Sequence, residues 1–253
     1  MPYGIYLSAE GAHAQDRRLT ILANNLANVE TVGFKRQLAI CQARYTEPVN
    51  RGLESPGTGR WSDLSGGVVV SMTKTDFSPG PLKETRSPTD FAIRGEGFFT
   101  VQKGDEVFLT RAGNFQLNGK GQLVTQYGGE QYLVLNDAGQ PIVIDGSRPW
   151  RVNPQGVVEQ EGLLQNIAVV RPASKDSLVP VGENLFRPTA QPSPVPLAQR
   201  QVAQGYLEMS SVQPTLAMVE LLEASRLLEA NLAMVQTQDQ MLSNLFNRVL
   251  RAS

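Results

Sequence analysis

Toward the C-terminal end of the chain, Leu221, Leu228, Val235, Leu242 and Val249 recur every seven residues, flanked by Leu227, Met234 and Met241. Nothing else in the sequence constrains the fold as much. Only a long helix keeps such residues on one side, and the stripe it creates must then be covered. Pro214 suits the first turn of this helix, where a missing N–H leaves no bond unmade. A second line, Ala224, Asn231, Gln238 and Leu245, is half polar. Polar seam residues cost stability and fix register, so the stripe predicts a specific partner.

The other end of the chain offers one. Ile5, Ala12, Leu19 and Leu26 fall on one helical line, with Leu22 and Val29 beside it, and predict a helix over residues 3–28, about 40 Å long. Gly4, Ser8, Gly11 and Gln15 weaken its first half, so the helix is marginal in isolation. Between the two helices the composition turns to strands and breaks. Residues 53–67, LESPGTGRWSDLSGG, read as irregular chain leading into a strand over 68–77, and SPGPL at 78–82 breaks the chain again.

Three related turns follow: LNGKGQ at 117–122, LNDAGQ at 135–140 and VNPQG at 152–156. Each places Asn three residues before Gly between apolar runs, which predicts hairpin turns with the glycine at positive φ and a mostly antiparallel β domain. FRPTAQPSPVP at 186–196 holds four prolines and reads as an extended connector. The fold expected is α+β, with an inserted β domain between terminal helices that form a coiled-coil-like module. Its parts are a helix and turn motif at 1–36, a connector at 37–80, a β-rich outer domain at 81–185, a return connector at 186–214 and a helix at 215–253.

Chemistry finds little support. Among 253 residues the net charge is −1, so no global field draws nucleic acid or anionic lipid. Lys35, Arg36 and Arg44 lack the interleaved aromatics of a nucleic-acid footprint. Cys41 is the only cysteine, which excludes an intrachain disulfide and a four-cysteine zinc site, and it reads as a small buried apolar residue. His13, the only histidine, reads as a partly exposed helix residue. IRGEGFF at 93–99 lacks the third glycine of a dinucleotide loop, and its glycines read as a tight turn before the strand FFTV. Asp105, Glu106, Asp137 and Asp145 match no calcium loop and read as solvated turn carboxylates. No metal, cofactor or small-molecule substrate is expected. No basic segment leads into an apolar run at the N-terminus, so neither a cleaved signal nor a membrane anchor is expected.

What remains is LTILANNLANVETVGFKRQ at 19–37. Asn24, Asn25 and Asn28 are poor helix-interior residues but suit capping and interhelical bonds. Gly33 lets the chain turn past the helix, and Phe34 and Lys35 follow it, so the segment reads as a helix C-cap with Phe34 as an apolar anchor.

ANNLANVETVGFKR at 23–36, together with SPTDFAIRGEGFFTV at 87–101, FLTRAGNFQLNGKGQLVT at 108–125 and GYLEMSSVQPTLAMVELLEASRLLEANLAMVQTQDQML at 205–242, resembles the bacterial flagellar rod and hook family of axial proteins. The family's N-V-N-P before the C-terminal helix is here Ser211, Val212, Gln213 and Pro214, which leaves proximal and distal rod subtypes open. The resemblance implies a non-enzymatic structural subunit of the basal-body rod. Its terminal helices would line the tube, and it would leave the cell through the flagellar type III export apparatus without a cleaved signal peptide. The implied partners are copies of itself and other rod and hook proteins. On that basis the subunit contacts are assigned to Ile5, Leu19, Leu22, Asn24, Asn25, Leu26, Asn28, Gly33, Phe34 and Lys35, and to Leu221, Leu228, Asn231, Val235, Gln238, Leu242 and Leu245. The competing readings are an autonomous coiled-coil dimerisation module with a ligand-binding β domain, and a hydrolase with paired acids in a cleft.

Overall fold

A computed structural model describes residues 3–45, 49, 51–53, 66–127 and 130–252, with the side chains of 126, 127, 130 and 248–252 left aside. Of the glycine-rich stretch at 53–67, residues 54–65 lie outside the described residues. The chain divides into two compact units: residues 1–27, 37–76 and 213–253 form one, and residues 28–36 and 77–212 form the other.

The first unit is built on helix α1, Tyr3–Ala27, and a long C-terminal helix, Pro214–Ala252. α1 packs along the C-terminal helix. A Cβ placed on Gly4 would sit 2.8 Å from Gln238 Nε2, and one on Gly11 would sit 3.0 Å from Asn231 Oδ1. Seven residues forward on one helix therefore match seven back on the other, so the two run antiparallel. The glycines that weaken α1 thus make room for the two seam amides, and a loss of about 1 kcal/mol each in helix propensity is exchanged for packing. Strands β1, Gln37–Ala43, and β2, Val68–Thr75, pair antiparallel and pack on α1.

The second unit carries strands β3 (Leu82–Glu84), β4 (Phe91–Ile93), β5 (Phe98–Lys103), β6 (Glu106–Thr110), β7 (Gln116–Leu117), β8 (Leu123–Tyr127) and β9 (Glu130–Val134). It continues with β10 (Arg151–Val152), β11 (Val157–Gln160), β12 (Leu163–Asn166), β13 (Val169–Arg171), β14 (Leu178–Gly182) and β15 (Leu185–Pro188). The last strands are β16 (Ser193–Pro194), β17 (Val202–Gln204) and β18 (Tyr206–Glu208). Among the described residues every strand pairing is antiparallel. The largest sheet runs β14-β15-β6-β5-β9-β8-β7, with β13 also on β5 and β16 on β13.

The run FFTV makes β5 the centre of that sheet. Phe98, Phe99, Thr100 and Val101 are all buried, as a strand covered on both faces requires. Around it Phe91, Phe99, Phe115, Leu123, Ile142, Ile144 and Ile167 form a core at 0 to 1% exposure, each contributing about 1.5–3 kcal/mol of burial. Gly95 (φ +99°) and Gly97 (φ +132°) turn the chain immediately before β5. The three Asn/Gly turns are near copies. Gly121, Gly139 and Gly156 have φ of +73°, +76° and +79°, and each donates its N–H at 2.9 Å to the carbonyl of Asn118, Asn136 or Asn153.

One expectation fails. Residues 186–196 are not a connector, because Phe186 lies in β15, which is paired to β14 on one side and β6 on the other. The prolines explain how: Pro188 ends β15, and Pro194 lies in β16, which pairs only with β13. Edges and ends are where a strand tolerates a missing N–H.

Candidate assembly surface

The helical unit presents two kinds of surface. On the C-terminal helix the positions spaced three and four apart, Ala217, Leu221, Ala224, Leu228, Asn231, Val235, Gln238 and Leu242, are buried or half-buried. This is the side on which α1 lies. On α1, Ala12, Ala14, Leu22 and Asn25 are buried, while Ile5, Leu19 and Leu26 are half-buried. The seam residues assigned from sequence are therefore engaged within the chain. Leu245 differs: it is 60% exposed, and its neighbour Phe246 is 67% exposed. Beside the seam, Leu216, Val219, Leu227, Met234 and Met241 form further exposed apolar positions on the same helix.

Asn25 has a defined task. Its Nδ2 donates to Gln37 O at 2.8 Å and its Oδ1 accepts from Gln37 N–H at 2.9 Å. The amide thus substitutes for a strand neighbour at the start of β1. Asn24 is exposed on α1, and Asn28 Oδ1 accepts from Thr31 Oγ1 at 3.2 Å.

Gly33, Phe34 and Lys35 do not cap α1, which ends six residues earlier; they are buried in the β unit. Gly33 N–H donates to Glu208 O at 2.7 Å, and Ser211 N–H donates to Phe34 O at 3.1 Å. Asn184 Nδ2 donates to Val32 O at 2.8 Å. Gly33 has φ +69°, and a Cβ there would stand 2.4 Å from Ala112 N. The residue is thus demanded twice, by its backbone angle and by the approach of another backbone.

Lys35 Nζ donates to Glu208 Oε1 at 2.6 Å and to Ser78 O at 2.8 Å. Arg111 Nη1 donates to the other oxygen of Glu208 at 3.1 Å, and Arg111 Nη2 to Gly95 O at 2.6 Å. Gly80 N–H donates to Glu208 Oε1 at 3.0 Å. Both Lys35 and Glu208 side chains are 1% exposed. Burial pulls the Arg111 guanidinium below its usual range, and Glu208 pulls it back. One carboxylate therefore ties together the segment after α1, the loop before β3, the end of β6 and strand β18. Such a cluster is weak evidence for net stability, but breaking it by removing one partner is costly.

Sequence reasoning missed Glu208 and Arg111. The signal was available: Lys35 stands beside Phe34 in an apolar motif, and a buried lysine needs a buried acid. Two smaller expectations also change. Cys41 is exposed, because the two-stranded sheet carrying it has only one face against α1. Asp137 is not merely solvated; it accepts from the buried Arg200 at 2.9 Å.

Among the described residues no three His, Cys, Asp or Glu side chains gather as metal ligands would, and no helix is long and apolar enough to cross a membrane. A cleft of about 300 Å³ in the β unit is lined by Glu84, Arg86, Trp150, Gln204 and Tyr206. It offers a single carboxylate, short of the acid pair that the hydrolase reading requires.

Three family models match the chain in order: "Flagella basal body rod protein" over residues 5–35, "Flagellar hook protein FlgE/F/G D1 domain" over 92–160, and "Flagellar basal body rod FlgEFG protein C-terminal" over 203–248. Across its length the chain is 33% identical to the flagellar basal-body rod protein FlgF of Caulobacter vibrioides, over 91% of each chain. The chain belongs to the flagellar basal-body rod protein family. It is also 31% identical to FlgG of Bacillus subtilis, over 96% of this chain and 97% of that one, and 30% identical to FlgF of Mesorhizobium japonicum, over 93% of each. This is a structural family, not an enzymatic one. The matched segments cover both features described above: the first and third fall on the helices and on the Gly33–Lys35 anchor with Glu208, and the second on the β core.

Proposed function

We propose that this chain is a structural subunit of the flagellar basal-body rod, polymerising through its terminal helices with copies of itself and with neighbouring axial proteins. The observation that carries the reading is the apolar surface left on the C-terminal helix after α1 has covered the seam, from Leu216 to Phe246. A helix with apolar residues on more than one side is built for more than one neighbour. Head-to-tail contacts that do not close produce the open helical symmetry a rod needs.

On this reading the pairing of α1 with the C-terminal helix is coiled-coil-like, and the half-polar line Asn231 and Gln238 sets its register. The residues assigned to subunit contact from sequence divide into four groups by role. Ile5, Leu19, Leu22, Asn25, Leu26, Leu221, Leu228, Asn231, Val235, Gln238 and Leu242 act through the folded helix pair, and Gly33, Phe34 and Lys35 through the anchor. Asn24 and Leu245 meet neighbours directly, and Asn28 shapes the turn between. The same reading includes export through the flagellar type III apparatus without a cleaved signal and a periplasm-spanning position, and the rod-protein names of the relatives support it. The autonomous dimer reading lacks support, because relatives that match the chain over most of its length are named as rod proteins.

The test is deletion of the gene in its own host, with complementation by a tagged copy and purification of hook–basal bodies. Loss of swimming on deletion, and the tagged chain in the purified structures, are the expected results. A deletion strain with intact basal bodies and normal motility would overturn the proposal.

A further inference from the structure

We propose that the cleft bounded by β3, the start of β10 and the β17–β18 junction binds a neutral pyranose sugar. This goes beyond the rod reading and does not depend on it.

Arg86 is the first observation. It lines the cleft at φ +61°, a backbone angle that disfavours any side chain and suits glycine. The carbonyl of Gly205 accepts from Thr85 N–H at 2.8 Å and from Arg86 N–H at 3.2 Å, so two residues stand opposite one, as in a bulge that re-aims a side chain. A non-glycine residue held at such an angle points to a use for its side chain. Arg86 Nε donates to Glu84 Oε1 at 3.2 Å. Among the described residues that pair engages one carboxylate oxygen and one guanidinium nitrogen, leaving Glu84 Oε2 and both Arg86 Nη groups for a ligand. The rest of the cleft is built firmly. Trp150 lies 6.2 Å from Phe91 between ring centroids, so one side rests on the core while the half-buried indole lines the cleft. Tyr206 forms a further wall, with the Arg94 guanidinium 5.7 Å from its ring centroid. Gln204 ties the floor to both flanks: its Nε2 donates to Pro88 O at 2.8 Å, and its Oε1 accepts from Val152 N–H at 3.0 Å.

Charge and shape select the ligand. Of the lining residues one is acidic and one basic, and the two are paired, so no cation is left over for a phosphate. What remains is aromatic surface beside planar polar groups. A pyranose fits that combination, because its C–H face lies against the negative face of an aromatic ring and each of its hydroxyls both donates and accepts. One hydroxyl donates to Glu84 Oε2 while its neighbour accepts from an Arg86 Nη group. A volume of about 300 Å³, at the lower end of small-molecule sites, admits one sugar ring.

The test uses full-length chain with Trp61→Phe, in which Trp150 is the one tryptophan and gives a single indole N–H cross-peak in nitrogen-15 NMR. The probes are methyl β-D-glucopyranoside, methyl β-D-galactopyranoside and N-acetylglucosamine, each titrated to about 100 mM. The expected result is a saturable shift of the Trp150 peak by at least one of them, with a Kd of about 1–10 mM, as suits a small ligand in a small cleft. Arg86→Gly should weaken that binding at least tenfold without lowering the urea midpoint, since glycine is at ease at φ +61°. Glu84→Ala, at an exposed position, is the second variant and should weaken it likewise. Cellotetraose separates two sources of the sugar: binding tenfold tighter than the methyl glucoside means a unit of a glycan chain, equal binding means a free sugar, and both satisfy the proposal. No saturable shift with any of the three sugars would overturn it. So would full binding by both variants, or a saturable shift with sodium phosphate that the sugars do not produce, which would mean an anion site. None of these readouts involves assembly, so failure here leaves the rod reading standing.

Discussion

Replacing Gly33 with alanine tests whether the segment after α1 is held by backbone fit. At φ +69° an alanine costs about 1–2 kcal/mol through its own Cβ. The new methyl would also stand 2.4 Å from Ala112 N and 2.7 Å from Ala112 Cα and Arg111 C. Those are backbone atoms that cannot swing aside, so overpacking adds about 1–3 kcal/mol. Displacing the segment further weakens the 2.7 Å bond from Gly33 N–H to Glu208 O, worth about 0.5–1.5 kcal/mol net. Gly139→Ala is the control within the same unit: its φ is +76°, but nothing lies within 4 Å of the added Cβ. Gly139→Ala should therefore lose about 1–2 kcal/mol and Gly33→Ala about 2.5–6.5 kcal/mol. The assay is urea unfolding followed by Trp150 fluorescence in a Trp61→Phe background, since Trp150 packs against the β core. Equal losses for the two alanines would refute the claim that two backbones meet at Gly33.

Glu208→Gln leaves Lys35 and Arg111 buried without their carboxylate and should cost about 3–5 kcal/mol in the same unfolding assay; a loss under about 1 kcal/mol would mean the cluster is not buried as described. Asn25→Ala removes both bonds to Gln37 and should cost about 1–3 kcal/mol, seen as faster amide exchange at the start of β1. Gly11→Leu should push Asn231 out of the helix interface and lower helical content in circular dichroism while leaving Trp150 unfolding unchanged. Val235→Asp, half-buried in the intrachain seam, should damage the monomer, whereas Leu245→Asp at 60% exposure should leave the monomer intact and block assembly. Sedimentation of each variant separates these two outcomes.

The helices were legible because their signals are periodic and local. Leu221 through Leu242 at seven-residue spacing marks a helix face whatever else the chain does, and the Asn/Gly turns carry their own geometry in Asn118, Asn136 and Asn153. The weak residues of α1 were legible only as weakness. That Gly4 and Gly11 exist to admit Gln238 and Asn231 depends on a helix more than two hundred residues away in sequence. Proline misled at 186–196, since counting prolines ignores where each one falls, and Leu185 through Arg187 lie clear of them. The Gly33–Lys35 segment looked like a helix cap because a glycine after a helix usually is one. Its actual neighbours, Ala112, Glu208 and Ser211, come from strands and loops that no local pattern connects to it. The division of the helix surface into a covered seam and an open ridge likewise needed the partner helix to be in place.

The most direct measurement is amide hydrogen exchange by mass spectrometry on the full chain, first as dilute monomer and then in purified hook–basal bodies. The proposal of assembly through the terminal helices predicts that residues 214–252 exchange faster than the β core in the monomer and become strongly protected in the rod, while the β core around Phe99 and Val101 is protected in both. Terminal helices already fully protected in the dilute chain, with no further change on assembly, would contradict it and favour a self-sufficient helical module.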